Sequence, residues 1–372
     1  MRLTIERADL LKSLQHVQSV VERRNTIPIL SNLMVSAREG RVCLTATDMD
    51  IAVVDAVPSE IGQDGATTAP AHMLYDIVRK LPEGAEVEIA TEDGNDRLSV
   101  RTGRSAFSLH CLPTEDFPVM TDGEFSHQFT MPAADLLRLV DKTRFAISTE
   151  ETRYYLNGIY LHAIDDADGK IMRAVATDGH RLARVETALP EGAEGMPGVI
   201  VPRKAVSELR KLLEDCDDDV SIALSDIKIR FAVGEALLTS KLIDGTFPDY
   251  ERVIPDANGS IMTVHGKAFA DAVDRVSTIS SDKSRAIKLS IGGDKVVLSA
   301  NSPDQATATE ELAIDYAGEA FDIGFNSRYV LDMTQQIDGD TMQFKISDAA
   351  SPAVVSDSDD QKALYVLMPM RV

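Results

Sequence analysis

The chain has 372 residues, 44% of them hydrophobic, and its 38 Lys and Arg against 60 Asp and Glu give a formal net charge of −22. This length predicts two or three domains rather than a single core. Read by itself, the acidic balance would exclude a nucleic-acid-binding protein, but net charge does not say where the charges lie.

The cysteines and the N-terminal segment bear on the compartment. Cys43, Cys111 and Cys216 are odd in number, far apart and without the spacing of metal ligands, so ordinary thiols in the cytoplasm are expected. The sequence contains no run of 18 apolar residues, which is about the length needed to span a membrane. Charged residues occupy the N-terminal segment where a signal peptide would have its apolar core. We expect no membrane association, no metal and no cofactor.

The first third of the chain opens with LTIERADLL from Leu3, which predicts a short strand leading into an amphipathic helix over 8–24. Period-two runs rich in β-branched residues, such as GRVCLTATDMDIAVVDAV, then predict antiparallel strands. A second helix is predicted over 71–81. Because each helix has one apolar stripe, the helices should cover one face of a sheet.

The same order recurs twice, with helices predicted over 133–146, 203–214, 266–277 and 327–337. The opening segments begin at Leu3, Phe129 and Met262, which are 126 and 133 residues apart. The anchors before the second helices are Pro70, Pro202 and Asn326, which are 132 and 124 residues apart. Two independent markers thus share one period. We predict an α+β fold of three similar domains, 1–124, 125–258 and 259–372, each with two helices packed on antiparallel sheets.

Charge is unevenly distributed between the predicted helices and the rest of the chain. The six helical segments contain 15 basic and 10 acidic residues, although the whole chain is strongly acidic. Helix propensity can account for part of this bias. If the helices share one surface, that surface is mildly basic. Such a surface can contact DNA without sequence preference and weakly enough for the protein to slide along it.

The most distinctive segment is VATDGHRLARV, from Val175 to Val185. Its Asp-Gly pair between two alternating runs predicts a β-hairpin. Asp178 and His180 could alternatively form the acid–base pair of an enzyme. No nucleophile, phosphate-binding or zinc motif accompanies them. An enzyme that uses this pair stays open as an alternative function.

Two acidic runs, DCDDD at 215–219 and DSDD at 357–360, lack the glycine and terminal glutamate of a calcium loop. Both are predicted to be solvated turns, and the second is predicted to be a mobile loop. In RYYLNG, Tyr154 or Tyr155 could either pack in a core strand or stack on an exposed base at a loop tip.

The chain end is unusually apolar. ALYVLMPMRV predicts a final core strand over Tyr365 to Leu367. Met368 and Met370 lie beyond that strand, and their flexible thioethers suit a groove that accepts varied partners.

Several segments, in order along the whole chain, resemble the bacterial DNA polymerase III beta subunit, the DNA sliding clamp family. They are TIPILSN, RYYLNG, VATDGHRLA, VIVPRKAV, TSKLIDGTFPDY, GFNSRYVLD and the terminal MPMRV. The resemblance implies a head-to-tail dimer that forms a six-domain ring, with helices lining the hole and sheets at the rim. It also implies a processivity factor, not an enzyme, that encircles double-stranded DNA without sequence preference.

The resemblance further implies a peptide-binding pocket between the second and third domains, which takes short peptides containing Gln and Leu or Phe. Its partners would be the DNA polymerase III catalytic subunit, the clamp loader, translesion polymerases and mismatch-repair proteins. The implied pocket residues are Leu156, Thr177, Gly179, His180, Arg181, Leu182, Pro248, Arg252, Val253, Tyr329, Val366, Met368 and Met370. Apolar members would anchor the peptide, and His180, Arg181 and Arg252 would form a polar rim.

Two further residue sets follow from the resemblance. The implied DNA contacts are Arg24, Tyr154, Tyr155, Arg203 and Lys204, and Glu150 stands where familiar members have Gln. The implied dimer interface comprises Arg97, Arg104, Phe107 and Leu109 of one subunit against Ile279, Asp304 and Glu310 of the other. Ala106 and Thr307 stand where familiar members have a further charged pair, so neither charge is left unpaired. A third possible function is a repeat scaffold that binds peptides but not DNA.

Overall fold

The structure, a computed structural model, describes residues 1–91, 96–120, 123–166, 169–255, 259–280, 285–302 and 306–372. Its α-helices are α1 (Arg7–Gln18), α2 (Ala71–Lys80), α3 (Ala133–Arg144), α4 (Arg203–Leu213), α5 (Gly266–Ser277) and α6 (Ser327–Thr334). Short 3₁₀ helices lie at Pro28–Ser31, Thr114–Asp116, Glu151–Leu156 and Tyr250–Val253.

The strands are numbered in chain order. Those of the first third are β1 (Arg2–Glu6), β2 (Asn32–Arg38), β3 (Arg41–Thr47), β4 (Ile51–Pro58), β5 (Glu60–Gln63), β6 (Gly65–Pro70), β7 (Glu86–Thr91), β8 (Arg97–Thr102) and β9 (Ser105–His110). Those of the middle third are β10 (His127–Pro132), β11 (Gly158–Asp166), β12 (Gly169–Thr177), β13 (Arg181–Ala188), β14 (Val199–Pro202), β15 (Asp219–Leu224), β16 (Lys228–Val233) and β17 (Ala236–Lys241). Those of the last third are β18 (Ser260–His265), β19 (Ala286–Gly292), β20 (Lys295–Asn301), β21 (Thr307–Ala313), β22 (Asp315–Tyr316), β23 (Phe321–Asn326), β24 (Thr341–Ile346), β25 (Ala353–Asp357) and β26 (Ala363–Leu367).

The chain folds into two compact units. The first unit comprises Met1–Leu137, Pro190–Pro197 and Val201–Ile243, and the second unit comprises Arg138–Leu189, Gly198–Ile200 and Asp244–Val372. The middle third of the chain therefore contributes residues to both units.

The first unit contains two sheets, of order β5-β1-β7-β8-β9 and β10-β15-β16-β17-β4-β3-β2-β6. Alternation decides which side chains are buried: in β3, Val42 and Leu44 lie in the core and their neighbours face outward. The apolar stripe of α1, formed by Leu10, Leu14 and Val17, is fully buried, as expected for a helix that covers a sheet.

The second unit contains sheets of order β14-β11-β12-β13-β26-β25-β24-β18-β22 and β21-β20-β19-β23. The ring of Phe269 in α5 meets that of Phe344 in β24 edge to face, with centroids 5.3 Å apart. Val330 and Met333 of α6 are fully buried. The unit is therefore built as the first one is, from helices that cover antiparallel sheets.

The repeat predicted from the sequence is present as repeated secondary structure. β1, β10 and β18 each lead directly into a helix, and β6, β14 and β23 do the same halfway along each third. Two helices end three or more residues earlier than predicted, and three others end one or two residues earlier. The first ends at Gln18 instead of residue 24, because Val20 and Val21 close turns by hydrogen bonds to Val17 and Gln18. The last ends at Thr334 instead of residue 337.

Strands from different thirds join in the two large sheets. β17 pairs with β4, where Leu238 lies opposite Val53, and β13 pairs with β26, where Ala183 lies opposite Tyr365. In both junctions, the last strand of one part of the chain pairs with the final strand of a three-stranded meander from another part. These meanders are β2-β3-β4 and β11-β12-β13. Within the described residues, one strand of each kind is left at a sheet edge, namely β9 and β21.

The acidic run at 357–360 is not the solvated mobile loop predicted from its composition. Asp357 is buried at the end of β25, and its carboxylate accepts hydrogen bonds from the backbone amides of Asp338, Gly339 and Asp359. Asp360 accepts a hydrogen bond from Arg138 at 2.5 Å. Asp338, Gly339 and Arg138 come from other parts of the chain, so composition alone could not indicate them. No helix in the described ranges has the length and apolar character needed to cross a bilayer.

Candidate functional site

A tight turn between β12 and β13 forms the centre of the candidate site. The Asp178 carboxylate accepts hydrogen bonds from the backbone amides of His180 and Arg181 at 2.9 and 3.0 Å. The Thr177 hydroxyl accepts from the Gly179 amide and donates to the Arg181 carbonyl. Gly179 has a φ of +87°, which a residue without Cβ adopts at little cost. The hairpin predicted at Asp-Gly is therefore confirmed.

Arg181 lies beneath this turn and is held from several sides. Its guanidinium pairs with Asp178 at 3.1 Å and with Asp332 of α6 at 2.6 Å. It donates to the carbonyl of Phe145 at 2.7 Å and lies 4.4 Å from the ring centroid of Tyr329. Arg181 supports the turn and the Tyr329 ring, and its side chain is 10% exposed; its place in the polar rim of the pocket stays a prediction.

The C-terminal segment lies against the same turn. Leu182 of β13 is opposite Val366 of β26, and both are 2% exposed. The Met368 amide donates to the His180 carbonyl at 2.9 Å, and the Met368 side chain is 40% exposed. The Met370 amide donates to the carbonyl of Gly324 at 2.8 Å. The predicted core strand is confirmed, and the two methionines lie beyond it.

The remaining pocket residues lie on two loops of the same unit. Leu156 is buried at the end of a 3₁₀ helix, and its carbonyl accepts from the amide of Ser148. Pro248, Arg252 and Val253 are exposed on the segment that follows β17. All thirteen implied pocket residues thus belong to the second unit.

His180 and Asp178 do not form the acid–base pair of the enzyme alternative. The Asp178 carboxylate is occupied by two backbone amides and by Arg181. The His180 ring instead stacks near Tyr329, with centroids 6.1 Å apart and an interplanar angle of 21°. Burial is the main cause that raises the pKa of the Tyr329 hydroxyl. In the described ranges, no three His, Cys, Asp or Glu side chains form a group that could hold a metal.

The implied DNA contacts differ in how free their side chains are. Arg24 and Arg203 are exposed. Lys204 is engaged, because its ammonium donates to the Val20 carbonyl at 2.9 Å, to Glu22 at 2.5 Å and to Asp48 at 2.6 Å. Burial acts to lower the pKa of Lys204, but these two carboxylates outweigh it and the pKa is raised.

Tyr154 and Tyr155 lie in a 3₁₀ helix, not in a core strand, and Tyr154 is 54% exposed. Gly245 packs on them so closely that a Cβ there would lie 3.0 Å from that of Tyr155. Nearby, Glu150 pairs with Arg153 at 2.6 Å. A hydrogen bond from Arg153 lowers the pKa of the Glu150 carboxyl.

The implied dimer residues lie at the two sheet edges. Phe107 and Leu109 belong to β9, and Arg97 and Arg104 lie beside it, in β8 and in the turn that leads into β9. Glu310 belongs to β21 and pairs with Arg275 at 2.5 Å within the same chain. Ile279 follows α5 and is half-buried. Asp304 lies outside the described residues.

The residues that the resemblance implies do not include Asp332 and Phe145, which hold Arg181. Their common signal is weak, because a helical Asp and a backbone carbonyl carry no pattern of their own. The Asp-Gly pair predicts the turn itself, and Asp in such a turn is also a sign of the side-chain-to-backbone hydrogen bonds that Asp178 makes.

Comparison with known proteins agrees with this geometry. Family models of the DNA polymerase III beta subunit match as its N-terminal domain at residues 1–121, its central domain at 130–249 and its C-terminal domain at 251–371. The beta sliding clamp of Caulobacter vibrioides strain NA1000 is 53% identical over 372 residues and all of both chains, and that of Escherichia coli K12 is 39% identical over 375 residues and all of both chains.

Solved structures are similar over the whole chain as well. A DnaN sliding clamp from Bartonella birtlesii, bound to griselimycin, has a TM-score of 0.97 and 52% identity, with 100% of both chains covered. A DnaN sliding clamp from Pseudomonas aeruginosa, also bound to griselimycin, has a TM-score of 0.94 and 39% identity with the same coverage. The chain therefore belongs to the DNA polymerase III beta subunit family, the beta sliding clamps, and has the three-domain fold of that family.

Proposed function

We propose that two copies of this chain close head to tail into a six-domain ring that encircles double-stranded DNA in the cytoplasm. The observation that carries this proposal is the pair of sheet edges. Both junctions within the chain join the last strand of one third to a meander strand of another, and β9 and β21 are the remaining strands of these two kinds. Pairing β9 of one copy with β21 of the next repeats the same junction and leaves neither edge exposed.

Half-buried Phe107 on β9 supplies the apolar part of this interface, with Ile279 of the other copy, while Leu109 is buried within its own chain and supports β9 from inside. Arg97 and Arg104 would face Glu310, and their other predicted partner, Asp304, lies outside the described residues. Because Glu310 already pairs with Arg275, an arginine from the partner would join an existing ion pair rather than neutralise a free carboxylate. The predicted domains 1–124, 125–258 and 259–372 give each copy three of the six domains of the ring.

Inside the ring, Arg24 and Arg203 are the most available of the proposed phosphate contacts, because both are exposed. Tyr154 presents an exposed ring that can stack on a base, with Tyr155 beside it. Lys204 reaches a phosphate only by exchanging a carboxylate partner. These contacts are few, which suits a protein that slides on DNA.

The second unit would tether partner proteins through the pocket around Thr177–Leu182 and Met368–Met370. Apolar anchors that leave water contribute roughly 1.5–3 kcal/mol each, so a short peptide should bind with micromolar affinity. The proposed partners are the DNA polymerase III catalytic subunit, the clamp loader, translesion polymerases and mismatch-repair proteins.

The ring proposal is tested by retention on DNA. The protein is first sedimented, where a dimer is expected, and is then loaded on a nicked circular plasmid with a clamp loader and ATP. We expect it to co-elute with the circle in gel filtration and to be lost once the plasmid is cut to a linear form. Equal retention on linear DNA would contradict encirclement. Loss from both forms would favour the scaffold alternative, and turnover that depends on His180 would favour the enzyme.

A further inference from the structure

A row of polar side chains crosses the face of the nine-stranded sheet in the second unit. His162 of β11 is opposite Arg173 of β12, and Arg173 is opposite Glu186 of β13. Arg173 is 7% exposed, and its Nε donates to Glu186 at 2.6 Å. A guanidinium is costly to bury unless its donors are matched. Its other contacts therefore indicate what this arrangement accomplishes.

Those other contacts reach the segment Phe247–Val253. Arg173 Nη1 donates to Glu251 at 2.6 Å and to the Tyr250 hydroxyl at 3.3 Å. The Tyr250 hydroxyl also lies 3.1 Å from His162 Nε2. Tyr250 is buried. One arginine thus joins two strands of the sheet to the 3₁₀ helix Tyr250–Val253.

The same segment is fixed at a second point by an aromatic contact. Phe247 is buried and stacks on Tyr160 of β11, with centroids 4.8 Å apart and an interplanar angle of 7°. Pro248 follows Phe247, and Val253 lies two residues after Glu251. The inward side chains are therefore anchored to the sheet, while Pro248 and Val253 are exposed.

The first unit shows that such a segment can be held without charges. The positions that correspond to His162, Arg173 and Glu186 are there Ser36, Cys43 and Ala56, which lie opposite one another in β2, β3 and β4. In that unit, Phe117 of the corresponding Phe-Pro segment packs in an apolar cluster with Ile29 and Leu30. The charged row is thus found in the unit that contains the proposed pocket and is not a general requirement of the fold.

We propose that Arg173 is a positioning residue for peptide binding. Through Tyr250 and Glu251 it holds the segment Phe247–Val253 where Pro248 and Val253 form one wall of the pocket. This inference rests on the proposed function of that pocket. Arg173 itself touches no peptide, so its effect is confined to peptides that use this wall.

The test removes the loop contacts of Arg173 and keeps its pairing with Glu186. Tyr250→Phe and Glu251→Met, singly and together, each delete one hydrogen-bonding group and keep a side chain of similar length. The probe is a six-residue synthetic peptide containing Gln, Leu and Phe, titrated by calorimetry. We expect the double variant to bind about tenfold more weakly. Glu235→Met, at a carboxylate that pairs with Arg41 in the first unit, is the matched control and should bind as the wild type does.

A second readout separates positioning from a general loss of structure. The double variant is combined with Val253→Ala and, separately, with Met368→Ala. We expect its effect to vanish in the Val253→Ala background, where the wall is already lost, and to persist in the Met368→Ala background. Equal effects in both backgrounds, or wild-type affinity within twofold for the double variant, would overturn the proposal while the pocket stands. If the wild-type protein does not bind the probe, the pocket itself fails and this inference fails with it.

Discussion

The turn at Thr177–Arg181 has a counterpart in the first unit, at Thr47–Ile51, with the same hydrogen bonds. Asp48 accepts from the amides of Asp50 and Ile51 at 2.9 and 2.8 Å, as Asp178 does from its two amides. The Thr47 hydroxyl donates to the Ile51 carbonyl at 2.9 Å. The amide of Lys241 donates to the Asp50 carbonyl at 2.8 Å, as that of Met368 does to His180. The backbone device is therefore repeated in both units.

Apart from the shared Thr and Asp, the side chains around the two turns differ. Beside the first turn, Lys204 pairs with Asp48 at 2.6 Å and Lys241 pairs with Asp50 at 2.9 Å. The second turn has His180 and Met368 in place of Asp50 and Lys241. The third residue of the neighbouring helix is Ala205 in α4 and Tyr329 in α6. Lys204 and Lys241 pair with the carboxylates of the first turn. The second turn has its own ion pair between Arg181 and Asp178, but His180, Met368 and Tyr329 add apolar and aromatic surface beside it. The same backbone turn thus presents different surfaces, and the proposed pocket uses the second one.

The largest expected effect comes from deleting Met368 to Val372. Because the deletion removes apolar anchors worth roughly 1.5–3 kcal/mol each, peptide affinity should fall more than about 100-fold. β26 ends at Leu367, so the fold and the dimer should persist in sedimentation. Lys241→Ala alters the corresponding position of the first unit and should leave peptide affinity unchanged. Unchanged affinity in the truncated protein would place the pocket elsewhere.

Replacing Arg181 in the second unit and Ile51 in the first should change the stability of the protein by different amounts. Arg181→Met leaves Asp178 and Asp332 without their partner, so the free energy of unfolding should fall by roughly 2–4 kcal/mol. Ile51→Met at the corresponding position keeps an apolar side chain of similar size and should cost less than about 1.5 kcal/mol. Urea unfolding of both variants measures the difference. Equal losses would mean that Arg181 does not support its turn.

The pH dependence of stability should come from the second unit, because its row of polar side chains contains His162, whereas the first unit has Ser36 at the corresponding position. Burial, with a smaller effect from the charge of Arg173, lowers the pKa of His162 from 6.5 to about 4. The unfolded chain takes up this proton at a higher pH than the folded protein does. The free energy of unfolding should therefore fall by roughly 1–2 kcal/mol as pH drops from about 6.5 to about 4, after allowance for partial solvent exposure.

His162→Gln can keep a hydrogen bond to Tyr250 and removes the titration. The difference in the free energy of unfolding between wild type and this variant should thus change through that pH window and be constant above it. Parallel profiles for the two proteins across the window would show that the pKa of His162 is not lowered in the folded state.

The smallest expected effect concerns the residue that needs a positive φ. Gly179 has a φ of +87° and Met49 has one of +78°. Gly179→Ala should cost about 1 kcal/mol, because Cβ is unfavourable in this region. Met49→Gly should stabilise by roughly 0.5 kcal/mol, since relief of this strain exceeds the added entropy of the unfolded chain. Thermal unfolding measures both signs, and two changes of the same sign would contradict the likeness of the turns.

Much of the architecture could be predicted because its signals are local. The strand-to-helix segments at Leu3, Phe129 and Met262, the hairpin at Asp178–Gly179 and the final strand at Tyr365 each depend on side-chain periodicity or turn chemistry within a few residues. Quoted motifs also sufficed to identify the family, because they occur in order along the whole chain.

The tertiary structure alone decided which of these residues are free to act. The sequence predicts Lys204 as a DNA contact, yet its ammonium donates hydrogen bonds to Val20, Glu22 and Asp48. The sequence predicts Arg181 in the rim of the pocket, yet its guanidinium donates to the Phe145 carbonyl and to Asp332. These partners lie between 36 and 184 residues away in the chain. Periodicity determines which face of an element is buried, but the folded arrangement decides which charges meet there, because ion pairs and hydrogen bonds depend on distance in space.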